Sequence, residues 1–167
     1  MTVFSALAAC PPIGVQALVN EYSWIRSRPA PFVLPGQVDL IGAAPVDSGP
    51  VDRAEHLAAL ASMVNRLGVG RYLAHPREDD GTLRELADRT GTTIVRPDRP
   101  VELALRDGPV AERVLTLGST PALTLSIVLR GTGVRIEQAG IDTRRLAAGR
   151  SARTAEGVAA AQGAGPD

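Results

Sequence analysis

Between Arg71 and Val95 the chain reads RYLAHPREDDGTLRELADRTGTTIV. A short apolar run, Tyr72-Leu73-Ala74, stops at His75-Pro76, and charged residues follow. The stretch DDGTLRELADRTG then has the spacing of a short helix that Gly91 closes. Thr92–Val95 reads as a second apolar strand. A strand, a helix and a strand in this order make a βαβ unit, which joins parallel strands.

The same alternation extends in both directions. Upstream, TVFSALAA reads as a buried first strand broken by Pro11-Pro12, and IGVQALVNEYSWIRS as a helix whose Ile13, Leu18, Tyr22 and Ile25 share a face. Val38–Ile41 is a second strand ending on Gly42, and Asp52 is placed to cap a helix carrying Leu57, Leu60, Ala61, Val64 and Leu67. Downstream, PVELALRDG is a helix opened by proline and ended by Gly108. Arg113–Gly118 is a fifth strand, STPALTLSIVLRG a helix capped by Ser119 or Thr120 with Pro121 in its first turn, and Val134–Gln138 a sixth strand. The expected architecture is α/β: a Rossmann-like parallel sheet of about six strands with helices on both faces. One domain spans residues 1–145, and the Ala/Gly/Arg-rich residues 146–167 read as a disordered tail.

Composition narrows the function classes. The chain has 167 residues, zero formal net charge and 44% hydrophobic residues, which is ordinary for a folded domain and gives no basic surface for nucleic acid. All 18 basic residues are arginine, so a P-loop lysine and a lysine Schiff base are both excluded. Cys10 is the sole cysteine, which excludes an internal disulfide and CxxC metal sites. Two separated histidines and scattered acids make no zinc pattern, and no metal is expected. No apolar run approaches the ~20 residues of a membrane span. MTVFSALAAC lacks a basic n-region, so no signal peptide is expected. The expected compartment is the cytoplasm, with peripheral attachment to a membrane left open.

In an open parallel sheet, ligands bind beyond the carboxyl ends of the strands. Three groups fall there: His75-Pro76, Pro100-Val101-Glu102 and Gly118-Ser119-Thr120. A Gly-Ser-Thr turn entering a helix offers free backbone N–H groups, a positive dipole end and two hydroxyls, which is a cradle for an anion. The same residues are also ordinary helix-capping chemistry. Pro76 restricts His75 to an extended backbone, and an imidazole held beside a phosphate can donate a proton. Glu102 reads either as a first-turn acid complementing a helix dipole or as an acceptor for sugar hydroxyls. His56, on the polar face of its helix, has no assigned role, and Arg77 to Asp80 read as a solvated loop. No Gly-x-Gly-x-x-Gly follows the first strand, which leaves a dinucleotide oxidoreductase without support.

The order YLAHPRED, RPDRPVELAL, VLTLGSTPALTLSIVL resembles the C-terminal half of bacterial sialyltransferases, closest to the alpha-2,8-polysialyltransferase-like family. The likeness covers roughly residues 2 to 138. It implies the donor half of a glycosyltransferase-B fold and CMP-sialic acid as donor substrate, with no cofactor. His75 would contact the donor phosphate and act as the acid for departing CMP, with Pro76 positioning it. Gly118, Ser119 and Thr120 would hold the same phosphate, and Glu102 would bind the ribose. Residues 42–45, Gly-Ala-Ala-Pro, depart from the family's Gly-Gln-Pro-like turn. The family's acceptor half and general base have no counterpart in this sequence. The expectation is therefore a truncated or split enzyme whose separate acceptor-domain chain supplies the base. The alternative is a catalytically inactive nucleotide-binding module, and a generic Rossmann-like domain is a third reading.

Overall fold

The computed structural model describes residues 2–5, 13–43 and 53–140. Its elements run β1 (Thr2–Ser5), β2 (Gln16–Val19), α1 (Ser23–Arg26), β3 (Val33–Ile41), α2 (Arg53–Leu67), β4 (Arg71–Leu73), α3 (Asp80–Thr90), β5 (Thr93–Val95), α4 (Val101–Asp107), β6 (Val110–Thr116), α5 (Ser119–Val128) and β7 (Arg135–Gln138). Cys10, Asp52 and the 146–167 tail lie outside the described residues.

Five strands form one parallel sheet in the order β5-β4-β3-β6-β7. The fold is α/β and Rossmann-like. The sheet has five strands, not six, because β1 pairs in parallel with β2 in a separate two-stranded ladder. β2 itself occupies part of the segment expected to be helical. Gly14 adopts φ +85°, and the Asn20 side chain accepts the Tyr22 N–H in a local turn that leaves Tyr22 at φ 51°. These two interruptions reduce the helix to the single turn α1.

Alternation along the strands separates two apolar layers. Leu40, Tyr72 and Leu115 pack with Leu57, Leu60, Val64, Leu83 and Leu86 of α2 and α3. Their sequence neighbours Ile41, Leu73 and Val114 pack with Leu105, Leu125 and Val128 of α4 and α5. Each fully buried side chain of this kind contributes about 1.5–3 kcal/mol. Helices thus cover both faces, as parallel strands require.

Two polar contacts sit inside this frame. β3 passes Pro35-Gly36 through a bulge between its pairs Leu34↔Ala111 and Val38↔Arg113, with Gly36 at φ +68° and its N–H donated to Glu112 Oε2. A bulge is where a strand accommodates a proline. Beside it the buried Asp39 takes a two-pronged guanidinium contact from Arg71 (2.8 and 2.5 Å) and the Ala111 N–H at 3.0 Å. On the α4 side, Arg106 is only 7% exposed and has carbonyl partners: its guanidinium donates to Val128, Arg26 and Arg28. It ties the carboxyl ends of α5 and α1 to α4, where a cation complements the helix dipoles.

The strand order reverses between β3 and β6. The chain leaves β3 over one face through α2 and leaves β6 over the other through α5. At the carboxyl edge the ladder continues by one bond at each of the four strand pairs. Ala74 donates to Val95, Gly42 to Leu73, Leu117 to Ile41 and Ala139 to Thr116, at 2.8–3.1 Å. All five strands therefore end level along one rim. No helix among the described residues is long and apolar enough to cross a membrane.

Candidate functional site

His75 is the first corner of a turn immediately after β4. The Glu78 N–H donates to the His75 carbonyl at 3.0 Å, with Pro76 second and Arg77 third. Proline favours that second corner because its φ is preset, and it keeps the preceding residue extended. The Arg77 N–H donates to His75 Nδ1 at 3.2 Å. A nitrogen that accepts is unprotonated in the neutral ring, so this contact assigns the proton to Nε2, which has no partner among the described residues.

The turn is held from two directions. Glu78 reaches back, its Oε2 accepting the His75 N–H at 2.5 Å and its Oε1 accepting the Tyr72 hydroxyl at 2.6 Å. Tyr72 is fully buried, and burial followed by the Glu78 charge pushes its hydroxyl far above the ordinary range, so it stays a neutral donor. From the end of β5, Arg96 donates to the carbonyls of His75, Pro76 and Glu78 and to Asp80. Residues 77–80 were expected to be a solvated loop, and Arg77, Asp79 and Asp80 are indeed exposed. Glu78, by contrast, is half-buried and built into the turn, Asp79 caps α3, and Asp80 opens that helix and pairs with Arg96. A lone Glu in a charged run carries no sequence signal for this, because its partners Tyr72 and Arg96 come from two different strands.

Asp79 accepts from the Thr82 N–H at 2.7 Å and from its hydroxyl at 3.0 Å. These bonds, the backbone one first, hold its carboxyl below the usual carboxylate range. A lowered folded value means that the contribution is complete above the unfolded value, near pH 4, and is lost as pH falls through the folded value. Asp79→Ala should therefore lower the thermal midpoint at neutral pH. The gap from wild type should close as the medium is acidified below about pH 4. A gap that is constant with pH would show that the carboxylate is not the cap.

The second group lies at the entry to α5. Its N-cap is Gly118, not Ser119 or Thr120, and no side chain caps it. Ser119 and Thr120 are then the first two helical residues and Pro121 the third, so the first turn presents two N–H groups with no acceptor among the described residues at its positive end. The Thr116 hydroxyl donates to the Gly118 carbonyl at 3.0 Å and sets the turn. Thr120 is exposed, and the Ser119 side chain lies outside the described residues. Glu102 joins this group: its Oε1 accepts the Thr124 hydroxyl at 2.7 Å, one turn along α5 from Thr120. The structure thus brings Glu102, Gly118 and Thr120 to the same helix end. His75 stands on the same rim, on the far side of β3. Two strand spacings put the His75 and Gly118 backbones roughly 10 Å apart.

A cavity of about 430 Å³ lies elsewhere, between α4 and the β4–β5 side of the sheet, lined by Arg71, Leu73, Val95, Arg96, Leu105 and Pro109 among others. None of the six expected site residues lines it. Its guanidiniums are already committed: Arg71 to Asp39, Arg96 to Asp80, and Arg99 to Asp98 and Asp107. The carboxyl rim, with N–H groups that have no acceptor among the described residues, is the better anion site. Among the described residues no group of three or more His, Cys, Asp and Glu side chains is placed to hold a metal ion. No protein family model, curated protein or solved structure matches this chain.

Proposed function

We propose that the chain is the donor-binding domain of a CMP-sialic acid-dependent sialyltransferase of the polysialyltransferase-like kind. One observation carries the reading. The N-terminus of α5, with two N–H groups that have no acceptor among the described residues, opens at the point where the strand order reverses, on the rim that also holds His75. Such reversal points are where doubly wound sheets take nucleotides. The motif order supports the same reading from the sequence side.

In this reading the donor phosphate sits on the Ser119 and Thr120 N–H groups with the Thr120 hydroxyl beside it. His75 Nε2–H donates a hydrogen bond to a phosphate oxygen as the bond to the sugar breaks, countering the charge that develops on departing CMP. With Nδ1 accepting the Arg77 N–H the ring is neutral and keeps its proton, so it stabilises the leaving group without protonating it. Glu102 keeps Oε2 free of partners among the described residues and accepts a ribose hydroxyl through it. No metal enters this scheme.

A second reading, nucleotide binding without transfer, is favoured by the state of the acids. Glu78 uses both oxygens, Asp79 caps α3 and Asp80 pairs with Arg96. Among the described residues the rim therefore offers no uncommitted carboxylate on the His75 side to activate an acceptor hydroxyl. A general base from an acceptor-binding chain would complete the first reading.

Calorimetric titration tests the ligand. CMP should bind in preference to AMP and NAD, and Thr120→Ala should weaken CMP by roughly 0.5–1.5 kcal/mol, the worth of one hydrogen bond. Tight NAD binding with no response to CMP would replace both readings with a generic dinucleotide domain.

A further inference from the structure

Glu78 is the one carboxylate among the described residues that fastens the His75 turn to the interior of the sheet. Its two oxygens take different donors, the buried Tyr72 hydroxyl and the His75 backbone N–H. The neighbouring strand end is shaped to it. A Cβ at Gly42 would stand 2.6 Å from the Tyr72 hydroxyl and closer still to Glu78 Oε2. Gly42 ends β3 at the reversal point, and its φ is not in the left-handed region. The glycine thus leaves space for this contact: a side chain here would displace the end of the carboxylate that holds the histidine.

We propose that Glu78 is the positioning residue for His75, seated by Tyr72 and by the space at Gly42, and that it keeps the imidazole in the Nε2–H form presented to the ligand. The link is direct. Glu78 closes the turn twice, through its N–H to the His75 carbonyl and through its carboxylate to the His75 N–H. The closed turn aims the Arg77 N–H at Nδ1. Opened, it releases that N–H, and the neutral ring exchanges between its two forms. Glutamine at 78 preserves the arrangement, since its carbonyl oxygen accepts from His75 and its amide donates to the Tyr72 oxygen. The consequence for a phosphate ligand rests on the donor-site reading above.

The test is nitrogen NMR of the full chain labelled in histidine, at about pH 8, above the ordinary histidine range. His75→Ala assigns the signals against His56. Wild type and Glu78→Gln should show one bare Nδ1 and a protonated Nε2 at His75. Glu78→Ala should show signals averaged over both forms. A His75 spectrum unchanged in Glu78→Ala overturns the proposal. Should that variant fail to fold, Tyr72→Phe removes one of the two anchors and is read by the same criterion. CMP titration of the same proteins adds the second arm. Glu78→Ala should bind about tenfold more weakly than wild type, and Glu78→Gln within about threefold, consistent with one charge-assisted hydrogen bond. Equal CMP affinity in wild type and a folded Glu78→Ala disconnects the turn from the ligand and overturns the proposal. If CMP fails to bind wild type while the His75 signals respond as stated, the donor-site reading falls and the positioning role stands.

Discussion

Asp39→Ala should destabilise the chain by about 3 kcal/mol, read as a lowered midpoint in urea at unchanged slope. The substitution strands two donors at once. The Arg71 guanidinium loses its two-pronged partner, and the Ala111 N–H, buried beside the bulge, loses its acceptor. Removing one partner of a buried pair costs about 3–5 kcal/mol. The lower end applies because the Arg71 side chain is 26% exposed and keeps one bond, to the Pro109 carbonyl. Asp39→Asn should cost less, since its amide oxygen still serves one donor. Pairing Asp39→Ala with Arg71→Met should recover part of the loss, since no unpaired charge then remains. A single-mutant cost below about 1 kcal/mol would place the pair among ion pairs too solvated to matter.

Asp39 also marks the limit of what the sequence discloses. The run Val38–Ile41 is legible as a strand from its apolar residues, yet the aspartate inside it carries no local sign that Arg71 will meet it. The β3 start at Val33 was hidden for a related reason. Pro35-Gly36 reads as a break, and only the partner strand, through Glu112, shows that the break is a bulge. β6 likewise begins at Val110, not Arg113, because Glu112 looks like a loop residue until β7 supplies Arg135. Local patterns do reveal the βαβ alternation from α2 onward, since period and capping are properties of neighbouring residues. They fail between Ile13 and Arg26, where apolar spacing imitates a helix and a non-local ladder to β1 prevails.

The candidate site divides along the same line. His75-Pro76 and Gly118-Ser119-Thr120 are readable because each is a short motif at a strand end. The seat of the histidine is not readable, since Tyr72, Glu78, Arg96 and Gly42 come from three strands and a loop. Glu102 lies between these cases. Its place in the first turn of α4 is local information, whereas its contact with Thr124 depends on α4 packing beside α5. That contact also makes Glu102→Ala a clean probe. The Thr124 hydroxyl lies within reach of the Thr120 and Pro121 carbonyls, so no buried donor is left unpaired.

In a transfer assay run with an acceptor-binding chain supplied by fusion or association, His75→Ala should lower turnover by about 10²–10³-fold, the usual worth of one hydrogen-bond donor aimed at developing negative charge. The donor Michaelis constant should change far less. Before reaction the phosphate is already held by the N–H groups at α5. The imidazole proton matters most as the sugar–oxygen bond breaks and charge gathers on the departing phosphate. With Nδ1 occupied by the Arg77 N–H, Nε2 is the ring position left to donate. Glu102→Ala should show the opposite division, a raised donor Michaelis constant with turnover nearly kept, because ribose hydroxyls do not change charge during transfer. The two variants therefore separate along different kinetic axes. Unchanged turnover in His75→Ala would remove the charge-stabilising role and leave the histidine as a corner of its turn. A matching fall in turnover from both variants would mean that the damage is to the shape of the crevice, since only a group acting on the developing charge can lower turnover while leaving binding in place.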